Sequence, residues 1–319
     1  MEKTYDITAL GELLIDFAER GISEQGNQIL EVCPGGAPCN MLSMASKLGK
    51  KTAFIGKIGT GIHGTMLRAT IKEAGIDDRG LVGDPDVHTT LAFVHTLEGG
   101  EREFSFHRDP GADMMLRADE LDEELIRSSK VFHFGTLSMT DEPVISATKR
   151  ALEVAKEAGC IISFDPNLRE LLWSDIEDAK KAMEYGFAYC DILKIADNEI
   201  QFVTGREDYD EGISYLLEKY NIPLVFLTLG KDGSRAYYKG GRIEVKGYTV
   251  DTIETTGAGD TFCGSTVSKV LEKGIDNLDE ESLKEILDFA NAAAAIVTTR
   301  RGAIRSMPYA DEVEALRNM

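Results

Sequence analysis

The chain has 319 residues, 43% hydrophobic and 28% charged, an ordinary balance for a folded protein with a substantial core. Its 35 basic and 55 acidic residues leave a net charge of −20, against the phosphate neutralisation that nucleic-acid binding requires. No apolar run approaches the roughly 20 residues that span a bilayer, no signal peptide is recognisable, and Cys33, Cys39, Cys160, Cys190 and Cys263 form no C-x-x-C pair; a cytoplasmic protein without membrane or nucleic-acid partners is expected.

In chain order, Ile7–Leu10 reads as a strand, Asn40–Leu48 as a helix, Thr52–Ile55 as a strand and Met66–Ala74 as a helix. Leu81–Asp86 reads as a loop. Thr89–Leu97 and Glu101–Arg108, joined by Glu98-Gly99-Gly100, predict a hairpin, and Gln28–Cys33 is a further β run with no helix beside it. These pieces predict a small β-lid built from segments of about 12–33 and 88–110. The alternation then resumes: strand Val131–Phe134, helix Val144–Ala158, strand Ile161–Phe164, helix Ile176–Phe187, strand Ile192–Ile195, helix Ile213–Tyr220 and strand Leu224–Thr228. Ser234–Tyr238 and Arg242–Lys246, around Lys239-Gly240-Gly241, predict a second hairpin. The rhythm is that of one α/β domain over residues 1–319, with a mainly parallel sheet covered by helices on both faces.

Thr255-Thr256-Gly257-Ala258-Gly259-Asp260-Thr261-Phe262 carries the most chemistry. A glycine-rich turn enters a helix, where free N–H groups and the helix dipole favour an anion. Asp260 opposes a merely anion-binding role, but suits a base that takes the proton of a hydroxyl attacking a bound phosphoryl group. The plain alternative is a tight strand-to-helix connection with Asp260 as a cap. Gly11-Glu12-Leu13-Leu14-Ile15-Asp16 places Asp16 beyond the end of the first strand, where open α/β sheets bind ligands. A carboxylate there suits the hydroxyls of a polyol, and Pro34-Gly35-Gly36-Ala37-Pro38-Cys39-Asn40 leads into a helix that can complete the wall. Gly59-Thr60-Gly61-Ile62-His63-Gly64 fits G-x-G-x-x-G, with Asp84 or Asp86 about 20 residues on, so hydride chemistry is a competing reading. That fingerprint wants its acid at the end of a strand, which the loop reading of Leu81–Asp86 denies. No G-x-x-x-x-G-K-[ST], G-x-S-x-G or H-E-x-x-H occurs.

Through Gly35–Gly64 and Asp251–Phe262 the chain resembles the ribokinase-like (PfkB) carbohydrate kinases over nearly its whole length. Within that family, Gly11–Phe17, Glu101–Phe106 with Arg108, Ala112-Asp113-Met114 and Asp165-Pro166-Asn167-Leu168-Arg169 resemble fructokinases most. The resemblance implies a three-layer sandwich with a β-lid and ATP-dependent phosphorylation of a sugar such as fructose. It implies Asp260 as general base; Gly257, Ala258 and Gly259 as anion hole; and Asp16, Gly35, Gly36, Asn40 and Arg169, with Phe106 from the lid, as sugar site. It places ATP against Thr228, Gly230, Gly233 and Asn291, with the small patch Ala292–Ala295 beside the adenine. Mg²⁺ is expected near Glu199 through water, and K⁺ near Glu254, Thr256, Arg300, Gly302 and Ser306, largely on backbone carbonyls. A lid-mediated homodimer is a further implication. Two positions depart from the family: Ala196 stands where N-x-x-E has its Asn, and Gly61 where an acid is common. Another carbohydrate or nucleoside kinase of the family, a non-catalytic sugar-binding module and a dehydrogenase are the remaining readings.

Overall fold

Alternating burial along the strands builds two hydrophobic layers on one sheet. In the strand Leu224–Thr228, Leu224 and Phe226 join one cluster and Val225 and Leu227 the other, as the two-residue period requires. The structure, a computed structural model, describes residues 2–96 and 102–319. Its first half comprises β1 (Tyr5–Leu10), β2 (Leu14–Ile22), β3 (Gln28–Gly35), α1 (Ala37–Lys47), β4 (Thr52–Gly59), α2 (Ile62–Glu73), β5 (Ile76–Asp84), β6 (Leu91–Thr96) and β7 (Arg102–His107). There follow α3 (Glu123–Arg127), β8 (Ser129–Phe134), α4 (Val144–Glu157), β9 (Ile161–Phe164), α5 (Ile176–Phe187), β10 (Ile192–Ala196), α6 (Asp197–Thr204) and α7 (Tyr209–Tyr220). The chain closes with β11 (Leu224–Thr228), β12 (Ser234–Tyr238), β13 (Gly241–Val245), α8 (Ala258–Lys273), α9 (Glu280–Thr298) and α10 (Ala310–Arg317).

Nine strands form the central sheet in the order β13-β12-β11-β10-β9-β8-β1-β4-β5. Only β12 runs against the rest, through its antiparallel pairs with β11 and β13. Residues of α3 to α7 pack on one face and of α1, α2, α8 and α9 on the other, which is the expected three-layer sandwich. Phe54, Phe134, Phe164 and Phe226 lie fully buried between the layers, where truncating a single phenylalanine costs about 3–5 kcal/mol.

The expected lid is a separate sheet, ordered β3-β2-β6-β7. The residues assigned to the turn of its hairpin, Glu98-Gly99-Gly100, lie outside the described residues. A buried ion pair anchors the lid where it rejoins the domain: Arg108 meets Asp113 at 2.8 Å and also donates to the Leu137 carbonyl at 2.8 Å. Thr90, at the other lid crossing, donates to the same Asp113.

One expectation is overturned. Leu81-Val82-Gly83-Asp84 is not a loop but the end of the edge strand β5, paired in register with Gly56–Gly59 of β4. Two glycines and several acids depress its strand propensity, and tertiary pairing supplies what the local sequence lacks. Asp84 therefore does end a strand. Its carboxylate, however, accepts the N–H groups of Asp86 and Val87, both at 2.9 Å, and pairs with buried Lys57 at 3.2 Å. In the G-x-G-x-x-G stretch a Cβ on Gly64 would stand 1.7 Å from the Gly59 carbonyl, so Gly64 serves close helix–strand packing.

Candidate active site

Strand register alone brings one row of lid side chains together. Asp16 lies opposite Cys33 and Ala92, and Ala92 lies opposite Phe106. Opposed residues share a sheet face, so Asp16, Cys33 and Phe106 all turn to one cavity of about 330 Å³. On the other face Phe17 stacks on Phe93 with ring centroids 4.9 Å apart.

The cavity floor comes from the ends of the central strands and two helix starts. Gly36 caps α1 with φ 128°, and a Cβ there would stand 2.5 Å from the Glu12 carbonyl, so only glycine fits. Gly35 makes room in turn for Asp16, whose Oδ2 would lie 2.7 Å from a Cβ at 35. The Glu12 carboxylate accepts the Ala37 N–H at 2.7 Å and so occupies the start of α1. Gly257, at φ 79°, turns the chain into α8 and presents Asp260 in the first turn. Asn40 donates to Asp260 Oδ2 at 2.8 Å, and Asn167 to Oδ1 at 3.4 Å.

The electrostatics suit a proton acceptor surrounded by polar walls. Burial raises the Asp260 carboxyl above the usual carboxylate range, against the Asn40 hydrogen bond and the charges of Lys194 and Arg169. Burial pushes Asp16 up to about 7; Arg169 opposes the rise, and Glu254 and Asp260 add to it. Burial likewise pushes Glu12 up to about 7. Asn40 is 4% exposed, and its Oδ1 has no partner among the described residues, leaving an acceptor to be met by a ligand hydroxyl.

A second cavity, of about 270 Å³, lies on the other side of the Thr255–Gly259 turn. Thr228, Gly230, Gly233, Ala258, Asn291, Ala294 and Ala295 are among its walls. Thr255 and Gly259 line both cavities, so the glycine turn is the partition between them and Asp260 stands at it.

Most expected positions gather here, with four refinements. Ala258 turns its N–H onto the Thr255 carbonyl at 3.2 Å, which leaves Gly257 and Gly259 as the candidates for an anion cradle. Asn291 is a strut: Oδ1 accepts the Ser234 hydroxyl at 2.8 Å, and Nδ2 donates to the Val245 and Lys246 carbonyls at 3.1 and 3.2 Å. Of the small patch, Ala292 and Ala293 are core, while Ala294 and Ala295 reach the cavity. Gly61 lines a neighbouring cleft with His63 and His88, sharing only Phe106 with the Asp16 cavity, so its departure leaves the latter intact.

Glu199 is buried, and its two oxygens accept the N–H groups of Leu168 and Ala196, each at 2.8 Å. It ties β10 to the loop bearing Asn167 and Arg169. No group of three or more His, Cys, Asp or Glu able to hold a metal exists among the described residues. Of the set expected near K⁺, Glu254, Thr256 and Gly302 line the Asp16 cavity, whereas the Ser306 carbonyl accepts the Arg300 guanidinium at 3.2 Å.

Three functional positions escaped the sequence reading: Glu12, Asn167 and Lys194. Lys194 had a visible signal, a lone cation inside the apolar run Ile192-Leu193-Lys194-Ile195. Its ammonium pairs with Asp165 at 3.1 Å and lines the Asp260 cavity. Burial works against that charge, but Asp165 and Glu199 outweigh it and hold the proton on Lys194.

Residues 5–310 match the pfkB family carbohydrate kinase description. The chain is 43% identical over 304 residues to probable fructokinase-2 of Arabidopsis thaliana, covering 95% of this chain and 92% of that protein. Fructokinase of Xylella fastidiosa with bound ATP superposes with a TM-score of 0.91 at 29% identity, covering 100% and 99% of the two chains. A double mutant of Vibrio cholerae O395 fructokinase, in a form with fructose, ADP and potassium ion bound, gives 0.87 at 27% identity over 99% of each chain.

Proposed function

The chain belongs to the pfkB family of carbohydrate kinases, and on that premise we propose that it is an ATP-dependent fructokinase that forms fructose 6-phosphate. One observation carries the mechanism. Asp260, half-buried and held by Asn40 and Asn167, stands where two cavities of about 330 and 270 Å³ meet at a glycine turn.

The reaction follows from that placement. Asp16, Asn40 and Arg169 hold the sugar hydroxyls, and Phe106 covers them from the lid. The second cavity holds ATP, with the glycines at 230 and 233 and the alanines at 294 and 295 leaving room for its flat base. Asp260 takes the proton of the attacking hydroxyl as its oxygen bonds to the γ-phosphorus, and the bond to the β-phosphate oxygen breaks to release ADP. The N–H groups of Gly257 and Gly259 and the α8 dipole stabilise the charge on the phosphoryl oxygens. Glu199 would hold Mg²⁺ through water, and the ion would neutralise part of the phosphate charge.

Potassium is proposed beside the turn at Glu254, Thr256, Arg300, Gly302 and Ser306, where Arg300 must first leave the Ser306 carbonyl. Equal rates in K⁺ and Na⁺ at one ionic strength reject it. A homodimer through the lid is proposed from the exposed Ile22, Ile29 and Val32 on β2 and β3; a monomer in sedimentation rejects it. No described helix is long and apolar enough to cross a membrane, and all five cysteines are free, which supports a reducing, cytoplasmic setting. Phosphorus NMR of the product tests the main reading: the expected signal is a 6-phosphate ester that appears only with ATP and fructose together.

A further inference from the structure

The mechanism above leaves the buried cation of the site, Lys194, unused. Lys194 sits in β10, where side chains alternate between faces. Ile192 on the same strand packs in the cluster formed with α8 and α9, so Lys194 and then Ala196 turn toward the face that carries the start of α8. The side chain is 8% exposed. Its Nζ lies against the phosphate turn: a Cβ placed on Gly259 would stand 3.2 Å from it. Among the described residues Asp165 is the one acceptor to which Lys194 donates, at 3.1 Å. An ammonium carries three N–H groups, so donors remain for a ligand on the cavity side.

The surroundings make this placement consequential. Glu12, Asp16, Glu254 and Asp260 all line the cavity with Lys194, and the incoming triphosphate adds further negative charge. Arg169, the other cation of that wall, is solvent-exposed and therefore screened. Ala196 offers no donor on the face where the family has an amide, and a lysine two residues earlier reaches the same side.

We propose that Lys194 binds the phosphoryl group in transfer, donating from Nζ to a non-bridging γ-oxygen beside Gly259, with Asp165 as the residue that positions it. No bond to Lys194 forms or breaks; the ammonium meets the charge that develops as the phosphoryl passes from ADP to the sugar oxygen. The proposal rests on the kinase reading above.

The test compares wild type, Lys194→Met and the double variant Lys194→Met/Asp165→Asn, which removes both buried charges together. Turnover, fructose and ADP affinity, Tm, and inhibition by ADP with aluminium fluoride, a mimic of the group in transfer, are measured for each. Losing one preorganised donor lowers kcat by about 10²–10³-fold. The same loss is expected in affinity for ADP–aluminium fluoride, while ADP alone and fructose bind within threefold of wild type. The double variant is expected to recover Tm without recovering kcat. Recovery of turnover along with Tm, or unchanged affinity for the aluminium fluoride complex, would show Lys194 to be only a structural partner of Asp165. A wild type that releases no ADP brings down the kinase reading and this one together, whereas turnover in wild type and an equally active double variant bring down this one alone.

Discussion

Replacing Asp16 by asparagine removes one charge and almost no volume, so its effect reports the carboxylate itself. Asp16 lines the cavity from the lid, with its Oδ2 close over Gly35. As a carboxylate it accepts two sugar hydroxyls. A hydrogen bond to a charged group contributes about 1.5–3 kcal/mol and a neutral one about 0.5–1.5, so two weakened bonds lose about 2–3 kcal/mol. That corresponds to a sugar KM roughly 30- to 150-fold higher. The pH profile gives a second reading. Burial holds Asp16 at about 7, and only the ionised form accepts both hydroxyls. Affinity is therefore complete above that pH and falls below it, approaching roughly tenfold per pH unit, whereas Asp16→Asn loses the Asp16 share of that slope and keeps only what Glu12 and Asp260 contribute. Coupled detection of ADP at saturating ATP, from pH 6 to 8.5, measures both. A variant KM within threefold of wild type, with the same pH slope, would refute the reasoning.

Asp260→Asn keeps an oxygen for Asn40 but removes the proton acceptor, so kcat falls by about 10²–10⁴-fold while calorimetric fructose binding is retained; a tenth of wild-type turnover would exclude Asp260 as the base. Gly35→Ala drives a methyl to within 2.7 Å of Asp16 Oδ2, and misplacement on that scale costs up to about 10²-fold. Its sugar KM is expected to rise with ATP KM unchanged, and an unaltered sugar KM contradicts the assigned contact. Asn291→Ala strips partners from Ser234 and from the Val245 and Lys246 carbonyls, a loss of about 2–4 kcal/mol. Scanning calorimetry should show Tm lower by about 5–10 °C; an unchanged Tm would restore a purely ligand-contacting role.

Elements with strong periodicity were legible because burial on both faces of a parallel sheet writes long apolar runs. The strands Ile161–Phe164 and Leu224–Thr228 and the helix Ile176–Phe187 match residue for residue. The edge strand β5 was not legible, since its glycines and acids are tolerated only through pairing with β4. The lid was legible as one hairpin and a separate β run but not as a sheet. The parallel pairing of β2 with β6 joins segments far apart in sequence, and nothing local encodes that register. Asp16, Asn40 and Asp260 could be named from glycine-rich turns beside acids. The bracing role of Asn291 could not, because the carbonyls it holds come from a distant hairpin. Lys194 had a local signal, but its value depends on Gly259, which only folding brings against it.

The most direct test of the two-cavity account is kcat/KM for ADP release across fructose, glucose, ribose, 2-keto-3-deoxygluconate and a nucleoside, with ATP held saturating. The account predicts that fructose ranks first and that no ADP appears without a sugar acceptor. Sugar-independent ADP release, or a nucleoside ranked above fructose, would contradict it.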